Sequence, residues 1–252
     1  MTRSKAIDTV KNEVSKPSAA QHEGLPNLRV DPKRALGAIE KLLRDPADIA
    51  QGFVIVDSLA GEAPLRVLTR FRDHSSGRKL LAERPDLLSS LRDRQALARM
   101  ARGSLAHAYL AFIDDAGITA DGLVQASVEG RGRESALESD FTFVRNRIRD
   151  SHDLWHAVTG YQADVVGEIA LLSFNVAQLR NPGIAVLVLA ALARYRQLTF
   201  SKVVTGAFFH GLRTAWLPPV QWETLLPLPL SEVRAALRVE PQPVRLLEHR
   251  LS

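Results

Sequence analysis

The sequence predicts an all-α fold, organised as a single multi-helix domain behind a disordered N-terminal tail. Apolar residues recur at helical spacing through most of the chain after residue 30. Glycine or proline marks the breaks between these segments, as in "NPG" at 181–183 and "LPP" at 217–219. The run "GFVIVDSL" at 52–59 has the composition of a strand, but it is too isolated to build a sheet.

The first predicted helix begins after Asp31, which is placed to act as its N-cap, with Pro32 at the first helical position. Leu36, Ile39 and Leu43 then follow at helical spacing. Further helices are predicted at 87–100, 104–116, 141–158, 163–179, 184–198 and 202–216. The stretch at 122–140, which contains "EGRGRES", is predicted to be a long surface loop that leads into helix 141–158.

The chain of 252 residues is 46% hydrophobic, which is enough to form a sizeable core. Residues 1–26 are polar and have no apolar centre, so we expect a disordered tail and no secretory signal. The helical domain is expected to cover 27–245. No stretch approaches the roughly 20 apolar residues that span a bilayer.

Composition limits the chemistry that the chain can perform. The sequence has no cysteine, so disulfides and thiolate metal sites are excluded and a metal must be held by histidine and carboxylate. The net charge of +5 suits nucleic acid or anionic lipid. No RNA-binding motif and no helix-turn-helix spacing accompanies that charge, so nucleic acid is not an expected partner.

The stretch "RIRDSHDLWHAVTGYQADVVGEIALL" at 147–172 contains a candidate metal site. At about 100° per residue, His152 and His156 share one face of a helix, and Asp153 lies about 100° from His152. Glu168 would be about 18 Å further along a continuous helix. A turn at Gly160 would bring it back, which predicts a two-helix site of His152, Asp153, His156 and Glu168.

Structural roles are the alternative for these residues. "HDxxH" on its own is as often structural as functional, but a carboxylate among apolar residues costs several kcal/mol unless it is paired or metal-bound. Arg145 or Arg149 could pair with Glu168 instead of a metal. Four other histidines are expected to be ordinary surface or satisfied core residues: His74, His107, His210 and His249.

"HDLWH" followed by eleven residues and Glu168 resembles the signature of the Coq-four family of ubiquinone (coenzyme Q) biosynthesis proteins. The resemblance covers roughly 30–243. It includes "RGSLAHAYLAFIDDAG" at 102–117 and "PPVQWETLLPLPLSEVRAALRV" at 218–239. The chain differs from the family where "SEVR" replaces the usual Glu-Leu-Arg, and in its long "EGRGRES" segment.

The resemblance implies an all-helical fold and a Zn²⁺ ion, or another divalent metal such as Fe²⁺ or Mn²⁺, bound by His152, Asp153, His156 and Glu168. It also implies oxidative decarboxylation, in which the C1 carboxylate of a polyprenylated hydroxybenzoate is replaced by hydroxyl. Other ubiquinone biosynthesis enzymes are the implied partners, and the oligomeric state is left open, a homo-oligomer included.

The resemblance further implies peripheral attachment to a membrane: the mitochondrial inner membrane in a eukaryote, or the cytoplasmic face of the inner membrane in a bacterium. The segment 200–217 is our candidate for the attached face, since Phe208 and Phe209 are flanked by Lys202 and Arg213. An ordinary amphipathic core helix is the alternative for this segment.

A mixed histidine and carboxylate site can leave a coordination position open, so a bound ion could orient the substrate as a Lewis acid. Arg149, three residues before His152, is predicted to steer the benzoate carboxylate, unless it is a surface charge or a partner of Asp153. With zinc, the electrons must pass from the ring to dioxygen, because zinc has no redox chemistry.

Two other function classes remain open from the sequence. In the first, the protein is a non-catalytic scaffold that binds a prenyl lipid in a groove formed by helices 163–179 and 184–198 and organises the pathway enzymes. In the second, it is a histidine-aspartate phosphohydrolase with His107 and Asp164 as further ligands, a scheme that gives Glu168 no role. A metallopeptidase is disfavoured because "HDxxH" has aspartate where the general-base glutamate would stand.

Overall fold

The structure is a computed structural model that describes residues 29–45, 48–122, 124, 125, 127 and 139–242. These residues form fourteen α-helices and no strand, which confirms the predicted all-α class. The tail predicted at 1–26 and most of the loop predicted at 122–140 lie outside the described residues. The described residues of that loop are helical, so the loop prediction is wrong at 122, 124, 125, 127, 139 and 140.

The helices, in chain order, are α1 (Pro32–Arg44), α2 (Ile49–Leu59), α3 (Ala63–Asp73), α4 (Ser75–Glu83), α5 (Leu87–Arg92), α6 (Arg94–Arg99), α7 (Leu105–Ala116), α8 (Ser139–Asp150), α9 (His152–Thr159), α10 (Val165–Leu179), α11 (Pro182–Arg194), α12 (Leu198–Arg213), α13 (Trp222–Leu225) and α14 (Leu230–Leu237).

The strand-like interpretation of "GFVIVDSL" is wrong, because this run lies within α2. The Asp48 side chain caps α2 by accepting a hydrogen bond from the backbone N–H of Gln51. Ile55 is buried, and α11 approaches so closely that a Cβ on Gly183 would lie 2.5 Å from the Val56 carbonyl oxygen. Helix-on-helix packing therefore overrides the β propensity of the branched side chains.

Two predicted helices are divided in the structure. The segment 87–100 forms α5 and α6, since the Asp93 side chain accepts from the Ala96 N–H and starts a new helix. The segment 141–158 forms α8 and α9, which meet at Ser151. Backbone bonds from Ser151 N to Arg147 O and from Trp155 N to Ser151 O, each 3.0 Å, keep the helical spacing across that junction.

Helix α9 lies in the main core, and every one of its residues after His152 is buried. Leu154, Trp155 and Val158 pack with apolar residues of α7, α10 and α12. A second core cluster joins α3, α4 and α8 and consists of Val67, Leu68, Phe71, Leu80, Phe141 and Val144. The "HDLWH" motif is therefore held inside the molecule rather than on a loop.

Helix α14, the last helix among the described residues, is fixed at both ends by backbone hydrogen bonds. The N–H of Leu230 donates to the Gly103 carbonyl at 2.9 Å, and the N–H of Ala215 donates to the Leu237 carbonyl at 2.9 Å. Val233, in the middle of the helix, is buried in the main core. The position of α14 relative to α9 is therefore well determined by its packing.

Candidate metal centre

His152 and His156 lie one turn apart on α9, with ring centroids separated by 4.8 Å. The side chain of His156 is fully buried, whereas 21% of the His152 side chain is exposed. Their spacing of four residues places both rings on the same side of the helix, as the sequence predicted. The pair can therefore offer two imidazole nitrogens to one point.

A turn between α9 and α10 brings Glu168 to the two histidines. Helix α9 ends at Gly160, which has φ of 83°, a left-handed conformation that favours glycine. Helix α10 starts at the Asp164 cap, and Glu168 lies in its first turn. The Glu168 Oε1 atom is 3.3 Å from His156 Nε2, and Oε2 is 3.9 Å from His152 Nε2.

Gly167 lets α10 begin this close to the turn. A Cβ at this position would lie 2.1 Å from the carbonyl oxygen of Gln162 and 2.7 Å from its nitrogen, which is too close for any side chain. The N–H of Gly167 also donates to the Asp164 side chain at 2.7 Å. The glycine immediately before Glu168 is thus part of what places the carboxylate.

The hydrogen bonds on the outer sides of the rings define the histidine tautomers. His156 Nδ1 is 2.9 Å from the Tyr161 carbonyl oxygen, which can only accept, so Nδ1 carries a proton. His152 Nδ1 is 3.2 Å from Asp153 Oδ1, and the same argument places a proton there. Both Nε2 atoms therefore present lone pairs when the rings are neutral, as metal-ligating histidines do.

The donor set fits a divalent cation. One ligand atom from each of His152, His156 and Glu168 lies within 4.8 Å of the other two. His156 Nε2 is buried and makes no hydrogen bond, so its lone pair faces the Glu168 carboxylate, which is also an acceptor. Two acceptors at this distance require a proton or a cation between them.

The structure brings together three of the four predicted ligands. The Asp153 carboxylate is not part of the group, because it lies on the Nδ1 side of the His152 ring, away from Glu168. The expectation that all four side chains converge on one point is corrected accordingly. Asp153 instead holds the orientation and tautomer of His152.

Electrostatics at the centre favour a charged pair. Burial lowers the pKa of His152, but the hydrogen bond to Asp153 and the negative charges of Glu168 and Asp153 outweigh burial, and the pKa is raised. Burial raises the pKa of Glu168, but the neighbouring imidazoles of His156 and His152 outweigh burial, and the pKa is lowered. Glu168 therefore stays ionised, and a cation or a proton is favoured beside it.

Glu168 is more accessible than the sequence suggested. Its side chain is 42% exposed, although apolar residues flank it in the sequence. On the inner side, the ring of Phe112 on α7 stacks on His156 at 4.7 Å with an interplanar angle of 14°. The centre is therefore open on the Glu168 side and closed by an aromatic ring on the other.

Other predicted site residues are engaged elsewhere. Arg149 Nε donates to Asp150 Oδ1 at 2.8 Å, so the guanidinium is paired with its neighbour in sequence. His107 Nε2 is 2.9 Å from the Met100 carbonyl oxygen, and Asp164 caps α10. The extra ligands of the phosphohydrolase scheme are thus absent from the His152, His156 and Glu168 group.

Tyr161 and Phe112 are parts of the centre that the sequence analysis missed. Tyr161 acts through its backbone carbonyl, for which a side-chain pattern gives no signal. Phe112 reaches His156 from α7, and only the packing of α7 on α9 reveals the contact. The position of Tyr161 directly after the Gly160 turn is the one sequence clue to its role.

The fold and site together define an all-helical protein in which two histidines and one carboxylate, brought together across a turn, could hold a metal ion. The family model for the coenzyme Q (ubiquinone) biosynthesis protein Coq4 matches residues 43–243. The chain belongs to this family of ubiquinone biosynthesis proteins.

Curated relatives agree with this assignment. The mitochondrial ubiquinone biosynthesis protein COQ4 of Yarrowia lipolytica is 29% identical over 172 residues, covering 67% of this chain and 63% of the relative. The corresponding protein of Pyricularia oryzae is 29% identical over 226 residues, covering 87% of this chain and 72% of the relative. The chain thus spans less than two thirds of the length of the Yarrowia protein.

A crystal structure of a candidate ubiquinone biosynthesis protein from Nostoc punctiforme is similar in fold. It superposes with a TM-score of 0.60 at 20% identity and covers 82% of this chain and 97% of the Nostoc chain. At this identity the similarity supports the helical architecture.

Proposed function

We propose that this protein is a metal-dependent enzyme that replaces the C1 carboxyl group of a prenylated 4-hydroxybenzoate by hydroxyl. Family membership supplies the pathway. The observation that carries the proposal is the set of three acceptor groups, His152 Nε2, His156 Nε2 and the Glu168 carboxylate, which face one another without a donor between them.

His152, His156 and Glu168 would hold the ion, which we expect to be Zn²⁺ or another divalent cation such as Fe²⁺ or Mn²⁺. When bound, the cation supplies Lewis acidity toward a carboxylate or phenolate oxygen of the substrate. Asp153 and the Tyr161 carbonyl hold the Nδ1 protons, so that in the neutral rings both Nε2 atoms carry lone pairs aimed at the same point. The proposed ligand set therefore has three residues, and Asp153 is the hydrogen-bond partner of His152.

The substrate is expected to approach from the exposed Glu168 side, while Phe112 limits access of water from the inner side. Loss of the carboxyl group as CO₂ and gain of a hydroxyl group from water is a two-electron oxidation of the ring, so dioxygen must accept the two electrons and leave as hydrogen peroxide. Arg149 remains our candidate for binding the carboxylate. To do so it must exchange Asp150 for the substrate.

Relatives named as mitochondrial support a location at the mitochondrial inner membrane if the chain is eukaryotic. In a bacterium we expect the cytoplasmic face of the inner membrane. No helix in the described part of the chain is long and apolar enough to cross a bilayer, so we propose peripheral attachment. The other pathway enzymes and a second copy of the chain are the proposed protein partners.

The alternative function is a non-catalytic prenyl-lipid-binding scaffold for the pathway enzymes. The predicted lipid groove included the segment that forms α10, but Val166, Ala170 and Phe174 of α10 are buried in the main core. These side chains are therefore occupied by packing within the protein. This observation favours the catalytic proposal over a groove along α10.

The two functions are separated by Asp153→Asn in a deletion strain, with quinone intermediates and partner-enzyme abundance measured together. An amide at this position no longer provides the carboxylate that fixes the His152 tautomer. We expect a carboxylated prenyl precursor to accumulate while the partner enzymes remain at normal levels.

Asp115→Asn, at an exposed carboxylate on α7, is the matched control and should restore normal quinone synthesis. Normal quinone levels from Asp153→Asn would contradict the catalytic proposal. Loss of partner enzymes with arrest at several steps would favour the scaffold.

A further inference from the structure

The geometry of the proposed metal centre depends on the C-terminal end of α9. The last carbonyl groups of a helix have no partner within the helix, and a helix of eight residues is marginal without outside contacts. His156 lies in this last turn, and the Tyr161 carbonyl that orients it lies just beyond. Fraying here would move both the ligand and the group that orients it.

Each of the last four carbonyl groups of α9 has a partner. The N–H of Gly160 donates to the His156 carbonyl at 2.8 Å, and the N–H of Gln242 donates to the Thr159 carbonyl at 2.9 Å. The other two are bound by a single side chain: Arg234 Nε donates to the Val158 carbonyl at 2.8 Å and Nη2 to the Ala157 carbonyl at 3.3 Å.

Arg234 is well suited to this contact. It lies on α14, whose ends are fixed by the bonds from Leu230 to Gly103 and from Ala215 to Leu237. A guanidinium group offers two parallel N–H donors, so one residue can serve two neighbouring carbonyls. Its positive charge also interacts favourably with the negative end of the helix dipole.

We propose that Arg234 is a positioning residue for the metal centre. It holds the last turn of α9 so that His156 Nε2 faces Glu168 and the Tyr161 carbonyl stays in reach of His156 Nδ1. This role rests on the metal centre of the proposed function. It extends that centre to a residue far from the ligands in the sequence, since Arg234 and Val158 are 76 positions apart.

The test uses Arg234→Met, which keeps much of the side-chain volume and removes the donors. Two quantities are measured on the purified protein well below its melting temperature: amide hydrogen exchange over 152–160 without metal, and Zn²⁺ affinity by competition with a chromophoric chelator. We expect faster exchange in the last turn of α9 and Zn²⁺ binding weakened roughly tenfold, as for other residues that orient ligands.

Leu80→Ala is the control for general loss of stability. Leu80 is buried in the second core cluster, remote from α9, so this change should lower the melting temperature without altering Zn²⁺ affinity or exchange in α9. If Leu80→Ala weakens Zn²⁺ binding as much as Arg234→Met, the positioning role is overturned.

Arg234→Lys provides a second variant if Arg234→Met does not accumulate in folded form. Lysine keeps the charge but lacks the paired donors, so the same two effects should appear at smaller amplitude. A folded variant whose amide exchange in α9 and Zn²⁺ affinity both equal those of the wild type would overturn the proposal. If the wild type itself binds no Zn²⁺ and α9 exchanges faster in the variant, the metal centre fails while the contact of Arg234 with α9 stands.

Discussion

His156 illustrates how much of the candidate centre depends on single hydrogen bonds. Its Nδ1–H donates a hydrogen bond to the Tyr161 carbonyl. In the neutral ring, Nε2 therefore has a lone pair, which is directed at the Glu168 carboxylate. Removing the negative charge of Glu168 should relieve this contact, since an amide can donate to Nε2. The same change removes one proposed metal ligand. Loss of the charge should therefore spare the stability of the metal-free protein, whereas loss of the ligand should weaken metal binding.

For Glu168→Gln we therefore expect metal affinity to fall by at least about 100-fold, because a ligand is lost rather than only its orientation. The free energy of unfolding of the metal-free protein should change by no more than about 0.5 kcal/mol, since the side chain is 42% exposed. Metal titration and denaturant unfolding measure the two effects.

Glu40→Gln, on an exposed position of α1, should leave both quantities unchanged. Undiminished metal binding by Glu168→Gln would remove Glu168 from the centre. A large loss of metal-free stability would show that the carboxylate is held mainly for the fold.

His210 gives the protein a pH dependence that is separate from the metal ligands. Its Nδ1 is 3.0 Å from the Tyr161 hydroxyl, and burial lowers its pKa below the ordinary 6.5, with Glu240 opposing this shift and Arg213 adding to it. Below pH 6.5 the unfolded chain therefore binds a proton that the folded protein resists. The stability associated with neutral His210 is present above that pH and is lost as the pH falls toward the folded pKa.

Denaturant unfolding of the wild type and of His210→Gln between pH 8 and 5 tests this expectation. The stability of the wild type relative to the variant should decrease below about pH 6.5. Taking the difference cancels the other titrating groups. A difference that is constant with pH, or that grows on acidification, would contradict a lowered pKa for His210.

At the scale of residues, the sequence predicted that His152, His156 and Glu168 would lie close together, and the structure brings these side chains together. Helix geometry explains why the pattern was informative. Two histidines four positions apart share a helix face, and a turn at glycine can bring a later carboxylate back to them. The pattern could not show that Asp153 lies on the other side of the His152 ring, because a step of about 100° fits a ligand and a supporting residue equally well. Arg234 was missed because its contact depends on how α14 packs.

At the scale of elements, the connection between α9 and α10 is the decisive feature. Gly160 adopts a left-handed conformation at the end of α9, and Gly167 allows the first turn of α10 to lie against Gln162. Together they set the distance between the histidines and Glu168. A side chain at 167 should push α10 away from the turn, and the carboxylate would move with it.

Gly167→Ala should lower the free energy of unfolding by about 1 to 3 kcal/mol, as for other overpacked sites, and should weaken metal binding as well. Gly206→Ala on α12 is the matched control, because a Cβ there meets nothing within 4 Å. It should raise stability by about 0.5 to 1 kcal/mol through helix propensity alone. Equal stability of the two variants would mean that α10 can shift without cost.

Helices were easier to predict than their boundaries. The long periodic segments at 104–116 and 163–179 closely match α7 and α10. Helices α3, α4, α13 and α14 were not predicted. Helices α4, α13 and α14 have nine residues or fewer and give little periodicity, whereas the apolar spacing of Val67, Leu68 and Phe71 in α3 was overlooked. The segment 52–59 was assigned to a strand because its branched side chains satisfy β propensity, which contacts with α1 and α11 override.

At the scale of the whole molecule, the outer surface of α12 is the candidate for membrane contact. Phe209 is 48% exposed and Leu212 52% exposed, and Lys202 and Arg213 are exposed on the same helix. Phe208, which the sequence analysis named, is partly buried, as is Trp216 near the end of the predicted segment 200–217, and Trp216 packs against Phe71. The surface is therefore smaller than predicted and centres on Phe209 and Leu212.

Flotation with anionic vesicles should be reduced by the double change Phe209→Ser and Leu212→Ser, because the exposed apolar area that can enter the interface is lost. Binding of the wild type should also weaken with added salt, since each nearby basic side chain contributes roughly 1 kcal/mol at most. The control pair Leu36→Ser and Leu43→Ser removes exposed leucines from α1. If the control reduces flotation and the α12 pair does not, the contact surface lies on α1.

The contact between Arg234 and α9 has a consequence for the order in which the protein is made. The three proposed metal ligands all lie between 152 and 168, so they leave the ribosome together and can meet by local folding. The side chain that binds the last carbonyls of α9 is synthesised 76 positions after Val158. During synthesis the proposed centre therefore passes through a period in which its three ligands are present but the last turn of α9 has not yet met Arg234.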